Sequence, residues 1–140
     1  MWSRRTTGYV FKLSGGAISW RSKLQHAVTK SSTEAEYYAL SDAASMAVYL
    51  RSLYTHLAKQ TITPTIIYVD NMGAIHTAND PVTHDKAKHI AVHMHFCREQ
   101  TLKGSIKPTY IPTADQLADP FTKVLPLQAF KRLVTKVMGY

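Results

Sequence analysis

A single cysteine, Cys97, stands in the 140 residues, so no disulfide can close within the chain and a disulfide-stapled secreted fold is excluded. Cys97 itself reads as a small apolar residue inside a helix. No apolar run approaches the roughly 20 residues needed to cross a bilayer. The basic pair Arg4-Arg5 is followed by no apolar stretch of signal-peptide length. Acidic residues are scarce, nine against 17 basic ones, and none precedes Glu34. A glycine-rich phosphate loop, a Ser-His-Asp motif, internal repeats and low-complexity tracts are all missing. These absences leave a soluble, intracellular, non-secreted protein without membrane contact as the expectation.

What is present fits one domain over residues 1–140. A chain of this length can bury about two-thirds of its unfolded surface, and its 45% hydrophobic content argues against a disordered polymer. The net charge of +8 favours polyanionic partners, nucleic acid above all. The basic residues are scattered, however, from Arg21, Lys23 and Lys30 to Lys86 and Lys88 and on to Lys131, Arg132 and Lys136. Charge alone therefore leaves a nucleic-acid binder and a merely basic globule both open.

Hydrophobic patterning predicts a strand at Tyr9–Leu13, a tight turn at Gly15-Gly16 and a returning strand at Ala17–Trp20. Ser31-Ser32-Thr33 offers N-caps for a long amphipathic helix, with an apolar stripe of Ala39, Ala43, Met46, Leu50, Leu53 and Leu57. Ile66-Ile67-Tyr68-Val69 is a near-continuous apolar run suited to an interior strand covered on both faces. Asn71 caps a short helix, Met72 to Ala78, which breaks at Asn79-Asp80-Pro81. A second helix runs from about Lys86 to Leu102 and stops at Gly104. Ile106 to Ile111 is a strand that Pro108 pushes toward a sheet edge or a bulge. A short helix over Asp115 to Thr122, interrupted by Pro120, and an amphipathic helix from Leu127 to Met138 complete a β-β-α-β-α-α-β-α-α order. That order is a mixed α/β domain.

Among the few carboxylates, Glu36 lies three residues before Ala39 and so belongs to the helix's apolar stripe, whereas Glu34 falls on the opposite face. A carboxylate on a core-facing stripe needs a partner, a metal or a structural duty. The structural duty is available as a capping box, Thr33-x-x-Glu36. Asp70 ends the most apolar strand just before a helix start, where ligands bind in open α/β sheets, though for an isolated Asp-Asn pair a plain strand-ending turn residue is the better explanation. Asp115 opens a helix and can be an N-cap; Asp119 follows four residues later on the same face. Together, two helix starts and a strand end each present a carboxylate. Hard cations such as Mg²⁺ take oxygen ligands from several elements in this way. His89, His93 and Cys97 recur at i, i+4 and i+8, a spacing that could serve Zn²⁺ given a fourth ligand. No clear fourth ligand is visible, and the recurrence reads as chance.

Several stretches, taken in order, carry a resemblance. They are Gly8-Tyr9-Val10-Phe11, Gly15-Gly16-Ala17-Ile18-Ser19-Trp20, Ser31-Ser32-Thr33-Glu34-Ala35-Glu36-Tyr37 and Tyr68-Val69-Asp70-Asn71. Lys88-His89-Ile90, His95-Phe96, Ile111-Pro112-Thr113, Ala114-Asp115-Gln116-Leu117-Ala118-Asp119 and Phe121-Thr122-Lys123 follow. Across essentially the whole chain this resembles the C-terminal ribonuclease H domain of copia-type LTR-retrotransposon Pol polyproteins.

The resemblance implies a ribonuclease H-like mixed sheet flanked by helices. It also implies two-metal hydrolysis of the RNA strand of RNA–DNA hybrids, with four carboxylates holding Mg²⁺ or Mn²⁺. Carried over by motif, the second, third and fourth carboxylates are Glu36, Asp70 and Asp115, as catalytic and metal-binding residues. The family's first aspartate lies on a central strand upstream of the segment resembling Arg4 to Tyr9, between the first hairpin and the Asp70 strand. The 140 residues do not contain it, so the expectation is an incomplete domain, with weakened metal affinity and no activity by itself. Ala91, Met94 and Pro120 replace the family's usual aspartate, aromatic and aliphatic residues, which points to drift. The implied partners are an RNA–DNA hybrid or other nucleic acid and the upstream reverse transcriptase region of the same polyprotein. The alternatives are a non-catalytic basic nucleic-acid-binding module and a non-functional element remnant.

Overall fold

The computed structural model describes residues 5–26, 32–79 and 88–140, without the side chains of residues 32, 77–79 and 88–89. Ser31 as a cap, the break at Asp80-Pro81, Lys30 and Lys86 lie outside the described residues, as do the side chains of Lys88 and His89. In order come β1 (Thr6–Leu13), β2 (Gly16–Leu24), α1 (Ser32–Ala58), β3 (Thr65–Val69), α2 (Met72–Asn79), α3 (Lys88–Leu102), β4 (Ile106–Tyr110) and α4 (Leu127–Met138). The mixed α/β class is as expected.

β1 and β2 form an antiparallel hairpin, Thr6 opposite Leu24, with a bulge after Phe11. The turn sits at Ser14 and Gly15, φ 52° and 85°, one residue earlier than the glycine pair suggests. β3 pairs with β4 in parallel, Thr65 beside Ile106 and Val69 beside Tyr110. Among the described residues these strands stand as two separate two-stranded sheets, whereas the resemblance implies one mixed sheet with its central strand missing from the chain.

α1 packs against both sheets and against α3. Its deepest line is Tyr37, Leu40, Ala44 and Ala47, each at most 3% exposed. This line is rotated from the expected stripe; Leu53 and Leu57 project into solvent. The small residues Ala43, Ala44 and Ala47 let the neighbouring elements approach the helix axis. Val69, Ala74, Cys97 and Ile106 complete the core from β3, α2, α3 and β4. Glu34, expected on the solvent side, is buried. That side of α1 faces α3, where Ser41 meets His93 Nδ1 at 2.8 Å and the Tyr38 and His93 rings meet edge to face.

β3 differs from its expectation as an interior strand. Ile67 and Val69 face the core, while Ile66 and Tyr68 are about half exposed, so one face of the strand is uncovered. Pro108 behaves as expected of an edge. Thr65 N–H bonds Ser105 O and Ile111 N–H bonds Val69 O, which assigns the odd-numbered groups of β3 to β4. The missing N–H of Pro108 then falls on the outer edge of β4, where no ladder bond is lost.

The expected helix over Asp115 to Thr122 is instead two 3₁₀ turns, Thr113–Asp115 and Asp119–Phe121, the second with Pro120 inside it. This strap crosses from the end of β4 to the hairpin. There the Ser22 hydroxyl donates to Phe121 O at 2.6 Å. Gly8 permits the contact, because a Cβ at that position would lie 2.5 Å from Thr122 Cγ2 and 2.9 Å from Phe121 Cβ. Arg132 of α4 donates to Ala114 O at 2.8 Å and braces the strap from outside.

Candidate active site

Between the two sheets lies a cavity of about 560 Å³. Consecutive residues of both facing strands line it, Gly8 to Lys12 of β1 and Thr65 to Val69 of β3. Its floor is one face of α1, namely Glu36, Ala39, Leu40 and Ala43, and its mouth is the strap from Asp115 to Ala118. Glu36 thus stands on an apolar helix face, as its spacing predicts, and that face borders a gap between strand edges.

Backbone parity shows what the gap contains. Gln25 N–H bonds Arg5 O, so Arg5 and the odd-numbered residues of β1 that follow it, up to the bulge, exchange bonds with β2. The N–H and C=O groups of Gly8 and Val10 therefore point away from β2. By the same count, the groups of Ile66 and Tyr68 point away from β4. Among the described residues, two strand edges have no strand neighbour, one on each side of the cavity.

Three carboxylates influence one another at this place. Partial burial pushes Glu36 up from 4.5 to about 7, and the charges of Asp70 and Asp119 push it the same way against Lys123 and Arg5. Asp119 is 7% exposed. Burial raises its pKa above the ordinary carboxylate value and Asp70 adds to that rise, while Lys123, 3.1 Å from Asp119 Oδ2, opposes it. Asp70 ends β3, and the neighbouring Asn71 accepts the Ala74 N–H at 3.1 Å, capping α2 as expected. The side chain of Thr33, at the start of α1, packs beside Gly73. The Asp70 and Glu36 ends of their elements are so held together.

Of the carboxylates carried over by motif, Glu36 and Asp70 are brought together. Asp115 is exposed and lines the cavity mouth, and it is not among the charges acting on Glu36. Nor does it cap a helix: it lies inside a 3₁₀ turn with Pro112 at the N-cap position and no side-chain cap bond. Asp119, placed by the sequence on the same face as Asp115 but not assigned to the site, is the carboxylate whose charge acts on Glu36 together with that of Asp70. The available signal was Lys123 one helical turn beyond it, a cation placed to keep a buried carboxylate charged.

The donor set is hard oxygen, the type Mg²⁺ or Mn²⁺ prefers. Among the described residues, however, no three His, Cys, Asp or Glu side chains converge closely enough to hold a metal ion. Cys97 is fully buried in α3 and its thiol is pushed up to about 12 by burial, which suits the core role expected of it. Among the described residues no helix is long and apolar enough to cross a membrane.

Comparison with known proteins finds relatives over most of the chain. The chain is 41% identical over 132 residues to the retrovirus-related Pol polyprotein from transposon RE1 of Arabidopsis thaliana, covering 94% of the chain. It is 42% identical over 132 residues to that from transposon RE2 of the same plant. To the one from transposon TNT 1-94 of Nicotiana tabacum it is 38% identical over 128 residues, 91% of the chain. The matched part is 9% to 10% of each relative, so the chain corresponds to about a tenth of the length of these polyproteins. No family model and no solved structure matches. The chain is homologous, over nearly all its length, to one segment of retrovirus-related Pol polyproteins from transposons.

Proposed function

We propose that this Pol-related chain is the larger part of a ribonuclease H domain, whose reaction is hydrolysis of the RNA strand of an RNA–DNA hybrid. The observation that carries the reading is that Glu36, on the floor of a gap between two strand edges, feels the charges of both Asp70 and Asp119. Glu36 and Asp119, both raised in pKa by burial and by the charge of Asp70, make a set of the kind that serves a cation. Two bound Mg²⁺ or Mn²⁺ ions would supply an activated water and stabilise the leaving oxygen. Among the described residues no three such ligands converge.

In this reading a further strand, carrying a carboxylate, fills the gap and completes both the sheet and the site. The 140 residues by themselves then bind a metal weakly and do not cleave. Glu36, Asp70 and Asp119 are the residues we assign to the site, with Asp115 at its rim. Lys123 keeps Asp119 charged in the absence of a cation. The proposed partners are the hybrid and the reverse transcriptase region of the same polyprotein. The net charge of +8 supports the first of these.

The test is cleavage of a labelled RNA–DNA hybrid with Mg²⁺ or Mn²⁺, by the 140-residue chain and by a version extended with an aspartate-bearing strand. Cleavage by the extended version alone, abolished by Asp70→Asn and Asp119→Asn, is expected. Turnover by both versions, indifferent to these changes, would overturn the reading. A second reading, a non-catalytic nucleic-acid-binding module, is favoured by the unconverged ligands. It requires hybrid binding that is independent of Mg²⁺ and no cleavage by either version.

A further inference from the structure

The strap that crosses the mouth of the gap also enters it. Gln116 donates its Nε2 to Tyr68 O at 2.9 Å. Tyr68 O is one of the β3 groups that ladder parity turns away from β4 and into the gap. The same side chain accepts Ala118 N–H through Oε1 at 3.4 Å. A primary amide carries an N–H donor and a C=O acceptor, as a peptide group does, with one N–H more. Gln116 therefore treats the exposed edge of β3 as a backbone neighbour would.

We infer that Gln116 is a displaceable stand-in for a strand, so that filling of the gap and the present position of the strap exclude each other. This rests on the reading above that the gap takes a strand. A strand paired along β3 would bring its own N–H to Tyr68 O from the gap side, the place that Gln116 Nε2 occupies at 2.9 Å. Releasing it frees the middle of the strap. The two ends stay held, by Arg132 on Ala114 O and by Ser22 on Phe121 O. Asp115 and Asp119 flank Gln116 within this tethered segment, so the exchange repositions acidic side chains against Glu36 and Asp70. Strand docking and the assembly of the carboxylates become one event, with Gln116 as the contact that holds the strand-free arrangement.

The experiment follows the Gln116 side-chain amide by ¹⁵N NMR. The probe is a strand alternating valine and threonine, appended through a Gly-Ser linker ahead of Met1. In the 140-residue chain the Gln116 NH₂ protons should exchange more slowly than those of an exposed glutamine. In the extended chain that protection should vanish, while an amide of the added strand gains protection. The same strand supplied as a free peptide should bind the Gln116→Met variant roughly fivefold more tightly than the wild type, the weight of one neutral hydrogen bond removed from the competing state. An added strand that pairs while Gln116 stays protected would overturn this inference and leave the gap reading intact, as would weaker peptide binding to Gln116→Met. A strand that pairs in neither form would overturn both.

Discussion

Lys123 Nζ lies 3.1 Å from Asp119 Oδ2. Its charge opposes the rise in pKa at both Asp119 and Glu36. Asp119 is buried while Lys123 is about half exposed, so the pair joins a desolvated anion to a partly hydrated cation. Replacing Lys123 by Met removes the positive charge that opposes the rises at Asp119 and Glu36. Both pKa values should move further up, and stability at neutral pH should fall by about 1–2 kcal/mol as Asp119 loses its partner. Carboxyl ¹³C titration reads the first effect and denaturant unfolding the second. Unmoved titrations would show that Lys123 does not reach the site.

Glu36 sets a pH dependence with a definite sign. Its folded pKa, about 7, exceeds the ordinary 4.5, so folding favours its protonated form. The stability it contributes is complete below about pH 4.5 and is lost as pH rises through 7. On a partly buried group, discounted for screening, the loss is roughly 1–3 kcal/mol. Glu36→Gln should match the wild type near pH 4 and exceed it in stability at pH 8, in buffer containing EDTA. Equal loss of stability in the variant across that range would refute the assignment.

How much of this was legible in the sequence differs by element. The hairpin, α1, the Asn71 cap and α4 follow from local patterns that tertiary contacts reinforce. The core line of α1 did not, because α3 approaches from a side that periodicity alone assigns to solvent, and Glu34 is buried there. Ile66 and Tyr68 read as interior because an apolar run carries no information about whether a neighbour exists to cover it. Asp119 was set with Asp115 on one helix face, but Pro120 breaks that segment into two 3₁₀ turns, so the helical spacing behind that reading does not apply. The resemblance proposes Glu36 and Asp70 for the site, and the burial of Asp119 beside Lys123 makes it a further candidate.

Cys97 offers a probe of the whole fold. It is fully buried and its thiol is held protonated up to about pH 12, so neither access nor ionisation favours reaction in the native state. Labelling by a disulfide reagent at pH 8 should proceed at the rate of global opening and accelerate with urea. Rapid stoichiometric labelling in native buffer would place Cys97 outside the core.

The basic surface should bind nucleic acid through phosphates without sequence preference. With a net charge of +8, log affinity for a hybrid or duplex should fall linearly with log salt. Fluorescence anisotropy between roughly 50 and 200 mM salt measures the slope. Affinity that ignores salt over that range would mean the charge does not contact the backbone.

The gap between β1 and β3 has consequences for solution behaviour. Gly8 and Val10 on one side, and Ile66 and Tyr68 on the other, present backbone groups that no strand in the described residues pairs. Ile66 and Tyr68 also expose apolar side chains. Unpaired edges recruit other edges, and apolar surface beside them adds to the tendency. The isolated 140-residue chain should therefore self-associate or unfold with low cooperativity. Appending an aspartate-bearing strand should give a monomer with a steeper denaturant transition, because more surface is buried in the folded state. It should also tighten Mn²⁺ binding, and Glu36→Gln or Asp119→Asn should reverse that gain. Sedimentation, urea unfolding and metal titration test the three parts separately. A monomeric chain that unfolds cooperatively by itself, with stability and Mn²⁺ affinity unchanged by the added strand, would mean that the cavity between the sheets is not a place for a strand.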